Sequence, residues 1–161
     1  AERGITVKKA ITIRRSQSEL YRFFRDFENL PRFLRHLESV RAVGENRTRW
    51  KARAPAGASV EWNAELVEDR PNERIGWRSV EGSEVETTGH VRFVPAPGGR
   101  GTEVHVEMRY RPALGKLGST IAKLFREAPE QQIEEDLRVL KQLLETGEVA
   151  VSAATADRGG R

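Results

Sequence analysis

The 161-residue chain contains no cysteine. That excludes disulfides, thiolate nucleophiles and cysteine-based zinc sites together, and it fits a reducing, cytoplasmic setting; separately, the inner face of the membrane is a further expected location. Long apolar runs are missing too. No stretch approaches the roughly 18 residues of a spanning helix, and no basic n-region followed by an apolar h-region opens the chain. Histidine is scarce: His36, His90 and His105 have no metal-ligand spacing to one another, so solvent-facing strand positions are their expected default and no metal site is expected. No G-x-S-x-G occurs, and Gly98-Gly99-Arg100-Gly101 reads as a hairpin turn rather than a phosphate cradle. The sequence calls for no cofactor.

What is present is a polar, mixed-charge surface on a chain long enough to bury one core. Charged residues make up 32% of the sequence and the mean hydropathy is −0.62, a balance typical of a single folded domain. The net charge of +4 conceals an asymmetry. Residues 1–53 hold 14 Lys/Arg against 6 Asp/Glu, a balance of +8, and the remainder holds 14 against 18, a balance of −4. Either the basic half engages an anionic partner, or the two halves neutralise each other across the fold.

Periodicity gives the element order. A strand spans Ile5–Ile13, its apolar parity interrupted by Lys9. Ser16 and Glu19 have capping-box spacing, and the helix they open carries Leu20, Phe23, Phe24 and Phe27 on one stripe. Asn29-Leu30-Pro31 stops it, and Pro31 suits the first position of a second short helix bearing Phe33, Leu34 and Leu37. From Ser39 to Arg111 the period is two, in about six strands joined by Pro/Gly/Asn turns, which predicts an antiparallel meander with one wet and one dry face. A helical stripe then returns over 117–146: Leu117, Ile121, Phe125, Ile133, Leu137, Leu140 and Leu144. Pro129 falls inside it, so it either kinks the helix or begins a separate one. If it kinks the helix, residues 114–128 form a mobile lid loosened by Gly115 and Gly118. Gly147 suits the C-cap, and residues 149–161 read as a flexible tail after a domain over 1–148.

The order strand, two helices, six-strand meander, long helix resembles the START-like helix-grip superfamily. Within it, Asp26-Phe27-Glu28-Asn29-Leu30-Pro31-Arg32-Phe33 and the run from Pro129 through Asp136-Leu137 to Glu148 are similar to the bacterial polyketide cyclase/dehydrase and lipid-transport family, which includes coenzyme Q-binding proteins. The resemblance implies an α+β fold in which a curved antiparallel sheet of about seven strands grips a long C-terminal helix. It also implies a ligand cavity on the concave face. Relatives in one branch follow an N-terminal membrane segment, and together with the missing initiator methionine this suggests a piece cut from a longer chain.

Trp50, Trp62 and Trp77 share the dry parity of three successive strands with Phe93 and Tyr110. These five, with Leu117, Ile121 and Phe125 from the helix, are the candidate walls of an apolar pocket; ordinary core packing is the competing explanation. Catalysis has less support. By parity the dry faces offer only Thr48, Ser79, Thr87 and Thr102, while Glu61 and Glu65 lie on the wet face about 13 Å apart. Arg47, Arg49, Lys51 and Arg53 stripe one strand, and Arg22, Arg25, Arg32 and Arg35 rim the short helices, but Trp50 points away from the stripe and cannot stack a base beside it. Three functions remain compatible. The first is non-catalytic binding or transport of an apolar lipid, quinone or polyketide-like molecule. The second is an RNA, ribosome or anionic-membrane module acting through Arg22, Arg25, Arg32, Arg35, Arg47 and Arg49. The third is a cyclase or dehydratase, which polar groups buried in the pocket would favour.

Overall fold

The computed structural model describes residues 5–53, 57–83, 85–112 and 129–147. Seven strands form one antiparallel sheet: β1 Ile5–Ile13, β2 Leu37–Gly44, β3 Arg47–Arg53, β4 Ser59–Arg70, β5 Arg74–Ser79, β6 Val85–Pro95 and β7 Thr102–Pro112. Their spatial order is β1-β7-β6-β5-β4-β3-β2, so the meander pairs sequential neighbours and only β1 crosses, to β7. Helix α1 (Gln17–Arg25) and a 3₁₀ segment (Phe27–Arg32) follow β1, and helix α2 (Pro129–Thr146) ends the described chain. This is the START-like helix-grip architecture expected from the sequence.

The local signals operate as read. Ser16 Oγ accepts from the Glu19 amide at 3.1 Å while the Glu19 carboxylate accepts from the Ser16 amide at 3.0 Å, closing the capping box. Gly147 adopts φ +81° and donates its amide to the Leu143 carbonyl at 3.0 Å, the left-handed cap that a Cβ would strain. Two elements differ from expectation. Helix α1 ends at Arg25, ahead of Asn29-Leu30-Pro31, so Phe27 falls in the next segment rather than on the helix stripe. The second short helix is a 3₁₀ segment capped by Asp26, with Pro31 inside it; Phe33 and Leu34 complete the turn and Leu37 already begins β2. Six residues of 3₁₀ are enough to turn the chain into the sheet edge, and the tight segment packs on β2 rather than extending into another helix.

Helix α1 packs against β5 and β6, and α2 against β1. The dry faces meet in one core containing Leu20, Phe24, Leu30, Ile75, Val104, Met108, Ile133, Leu137 and Leu140. Lys9, which breaks the β1 pattern, reaches from the helix side of the strand to Glu134 of α2, at 3.9 Å. Lys141 donates to the Thr12 carbonyl at 2.6 Å and to Glu145 at 2.7 Å, tying the other end of α2 to β1. Leu117, Ile121, Phe125, the lid over 114–128 and the tail over 149–161 lie outside the described residues, as does the junction before Pro129.

Candidate functional site

The five described residues expected to wall a pocket fall into three groups rather than one wall. Trp50 and Trp62 are directly opposed across β3 and β4 and stack at 5.9 Å, with Trp77 6.0 Å from Trp50. Phe27 meets Trp50 and Trp77 edge-on, at 6.2 and 5.6 Å. Gly89 lies opposite Trp77 and makes room for it: a Cβ there would come within 2.4 Å of the indole. Phe93 belongs to a second group, packed on Phe24 at 5.7 Å beside Phe23 and Phe33. Tyr110 belongs to a third, and that group is polar.

Its centre is His36. The ring sits in the link between the 3₁₀ segment and β2, buried, and its Nε2 is 3.1 Å from the Tyr110 hydroxyl of β7. Elements from opposite ends of the sheet meet at this bond, 74 residues apart in sequence, because the sheet curls round α2. The solvent-facing position expected for His36 is therefore wrong. Parity arguments apply within strands, and His36 precedes one. Burial, reinforced by the Arg53 guanidinium, lowers its pKa from 6.5 to about 3, so the ring is neutral at pH 7. Burial likewise pushes the Tyr110 phenol up, helped by the negative charge of Asp136.

Asp136 completes the group from α2. It is fully buried, at 0% exposure. Gln132 Nε2 donates to its Oδ1 at 2.9 Å, and Arg35 Nε donates to the same oxygen at 3.3 Å. Oδ2 is buried with no hydrogen-bond partner. Desolvation dominates, and the carboxyl is held above its ordinary pKa despite those donors. The sequence carried a signal for it: Asp136 lies three residues after Ile133 and four before Leu140, on the apolar stripe itself.

Three of the four polar side chains expected on the dry face, those of Thr48, Ser79 and Thr102, have structural partners. Thr48 Oγ1 accepts from Trp50 Nε1 at 2.8 Å, Ser79 Oγ accepts from the Thr87 amide at 3.1 Å, and Thr102 Oγ1 donates to the Arg15 carbonyl at 2.8 Å. Trp62 differs from Trp50: its Nε1 is buried without a partner. A cleft of about 760 Å³ opens at the β5–β6 end of the sheet, bounded by Ser79, Thr87 and Tyr110 of the inner rows and by Arg78 and Arg109 of the outer ones.

On the outer face, ion pairs account for most charges. Glu61 takes Arg49 at 2.9 Å and Glu65 takes Arg78 at 3.8 Å. Arg25 pairs with Asp69 at 3.0 Å, Arg32 donates to Asn29 and covers the Phe23 ring, and Arg35 reaches Glu135 as well as Asp136. Among the described residues, only Arg22 and Arg47 of the six candidate arginines lack a hydrogen-bonded or ion-paired partner. His90 and His105 face Glu107 and Glu103, and no group of three metal-capable side chains occurs among the described residues. Nor is any described helix long and apolar enough to cross a membrane.

Comparison with known proteins agrees with this architecture. Residues 13–137 match the family described as polyketide cyclase / dehydrase and lipid transport. An uncharacterised 17.2 kDa protein of Streptomyces lincolnensis is 28% identical over 127 residues, covering 78% of this chain and 79% of that protein. A crystal structure from Deinococcus radiodurans is 40% identical with a TM-score of 0.75, covering 89% of this chain and 99% of that one. A START superfamily protein from Mycobacterium smegmatis shares the fold at 16% identity, with a TM-score of 0.66 and coverage of 89% and 99%.

Proposed function

The chain belongs to the polyketide cyclase/dehydrase and lipid transport family, and from that premise we propose that it binds an apolar, ring-bearing small molecule on the inner face of the sheet, without chemistry upon it. Lipids, quinones and polyketide-like molecules are the compatible classes. The observation that carries this reading is Trp62, whose indole N–H is buried on the aromatic wall with no acceptor. A stranded buried donor costs about 1–3 kcal/mol, and a ligand carbonyl or hydroxyl beside it would recover that cost. Its neighbour Trp50, with the same chemistry and burial, has Thr48 as acceptor.

The protonation states support binding over catalysis at His36 and Tyr110. A general base works best with a pKa near the operating pH. An imidazole lowered to about 3 and a phenol raised above its ordinary value both stay neutral at pH 7, offering hydrogen bonds rather than protons. The buried polar corner of His36, Tyr110 and Asp136 is the feature expected of the cyclase or dehydratase alternative, and within it Asp136 is a carboxyl with a raised pKa, the condition in which carboxyls act as acids. Among the described residues, four of the six arginines of the RNA and anionic-membrane alternative are already engaged by protein partners, which leaves that alternative without support.

Native mass spectrometry of protein purified from its own host tests the proposal. An apolar mass that co-purifies and dissociates on activation is the expected result. A bare protein whose tryptophan emission also stays unchanged on titration with a long-chain quinone and an aromatic polyketide would overturn it.

A further inference from the structure

Asp136 is the most unusual side chain in the described core. Carboxylates are almost never fully buried unless paired, and this one is paired through a single oxygen. Gln132 and the Arg35 side chain both address Oδ1, and the Arg35 backbone amide also favours the ionised carboxyl, while Oδ2 is closed to solvent and has no donor in hydrogen-bond geometry. A structural clasp between Asp and Arg usually uses both oxygens in a bidentate fork. Arg35 makes no such fork. It engages through Nε at 3.3 Å, shares its guanidinium with Glu135 at 3.7 Å, and leaves 57% of its side chain in solvent. The helix has therefore placed a carboxyl on its apolar stripe, between Ile133 and Leu140, and left half of it unused.

We infer that Asp136 Oδ2 is the polar anchor of the ligand site, and that it accepts a hydrogen bond from a phenolic or enolic hydroxyl on an otherwise apolar molecule. The inference rests on the binding function proposed above and narrows its ligand class. Charge selects a neutral donor. Arg35 and Glu135 flank Asp136, and Arg53 lies close enough to His36 to act on its ring, so cationic and anionic neighbours balance at two each with His36 neutral. An ammonium ligand would meet the two guanidiniums, and a carboxylate would meet Asp136 itself. A hydroxyl adds no charge and supplies the missing donor. Tyr110 lies within the electrostatic reach of Asp136 and in hydrogen-bond contact with His36, so the anchor stands in a polar corner whose other members are already engaged with each other.

Two probes of nearly equal shape separate the anchor from the cavity: 2-naphthol, which can donate, and 2-methoxynaphthalene, which cannot. Isothermal titration calorimetry should give wild type about a tenfold preference for the naphthol, the return of one hydrogen bond to a charged acceptor. Asp136→Leu should bind both probes equally, keep the ether affinity, and melt no lower than wild type, since it removes a desolvated carboxyl and frees an exposed arginine. Asp136→Asn keeps the shape, loses the charge and should show a reduced preference, and it decides the matter if the Leu variant does not fold. Equal binding of both probes by wild type, or an undiminished preference in either variant, overturns the anchor and leaves the cavity standing. Binding of neither probe overturns both readings. A Leu variant that binds as wild type does but melts several degrees lower assigns Asp136 to structure alone and overturns the anchor.

Discussion

On the outer face of the sheet, Arg49 finds Glu61 at 2.9 Å and Arg74 finds Glu68 at 2.7 Å, each reaching a carboxylate on an adjacent strand. On the inner face of the same strands and on the helix it grips, Trp62 Nε1 and Asp136 Oδ2 find nothing. The outer groups could have relied on water and are paired anyway; the inner ones have no water and are not. Pairing that costs little is weak evidence of purpose, because exposed ion pairs contribute at most about 1 kcal/mol. Missing pairs in the core are costly, and the great majority of buried polar groups avoid them. The contrast supports the proposed inner-face site better than any single residue does.

The largest expected effect tests whether the inner face is a wall or a filled core. Trp50 is 1% exposed, stacked on Trp62, tilted against Trp77 and met edge-on by Phe27. Trp50→Ala should cost about 3–5 kcal/mol in urea denaturation. Trp62→Phe removes a stranded donor and should cost clearly less than Trp50→Phe, which also breaks the bond to Thr48. Equal costs for the two Phe variants would break the distinction drawn between them.

His36 gives the next effect, and its sign is fixed by linkage. Folding lowers its pKa from 6.5 to about 3, so the unfolded chain binds the proton more readily. Its contribution is fully present above pH 6.5 and is lost at about 1.4 kcal/mol per unit as pH falls from there toward 3. Asp136 acts in the opposite sense: its pKa is raised in the folded state, so protonation relieves its burial as pH falls. Comparing wild type with His36→Gln isolates the histidine. Between pH 6.5 and 4.5 the difference in their denaturation free energies should change by about 2 kcal/mol in favour of the variant. Parallel pH profiles would mean that water reaches the ring.

The same contrast explains what was legible in the sequence. Alternation placed Trp50, Trp62, Ile75, Val104 and Met108 on the buried face because antiparallel strands with one wet side must alternate. The seven-strand order followed from short turns. The inner polar corner was hidden for a different reason. Its members come from a link, an edge-proximal strand and a helix, brought together by the curl of the sheet, and no local period records that closure. Tyr110 was assigned by its ring, not its hydroxyl, and His36 by the habit of histidines in strands. Asp136 was the one member that local spacing could have exposed, as a carboxyl in phase with Ile133, Leu137 and Leu140. The outer face was read correctly because cross-strand neighbours follow directly from register: Glu61 lies opposite Lys51 and diagonal to Arg49.

The smallest effect sharpens the outer side of the comparison. Arg49 and Glu61 are each 39% exposed, so solvent screens their attraction and each side chain gives up rotamer freedom to hold it. A double-mutant cycle with Arg49→Ala and Glu61→Ala should give a coupling of about 0.2–1 kcal/mol. Raising the salt to about 1 M shortens the screening length to about 3 Å, comparable with the pair's separation, and should bring the coupling close to zero. Arg49 also sits 3.3 Å from Asn63, a contact that salt leaves largely intact, so the cycle is best run on the Asn63→Ala background as well. A coupling above about 2 kcal/mol that survives salt would place this pair in a dry environment. The outer face would then need a cover of its own, and the contrast between the two faces would be one of degree.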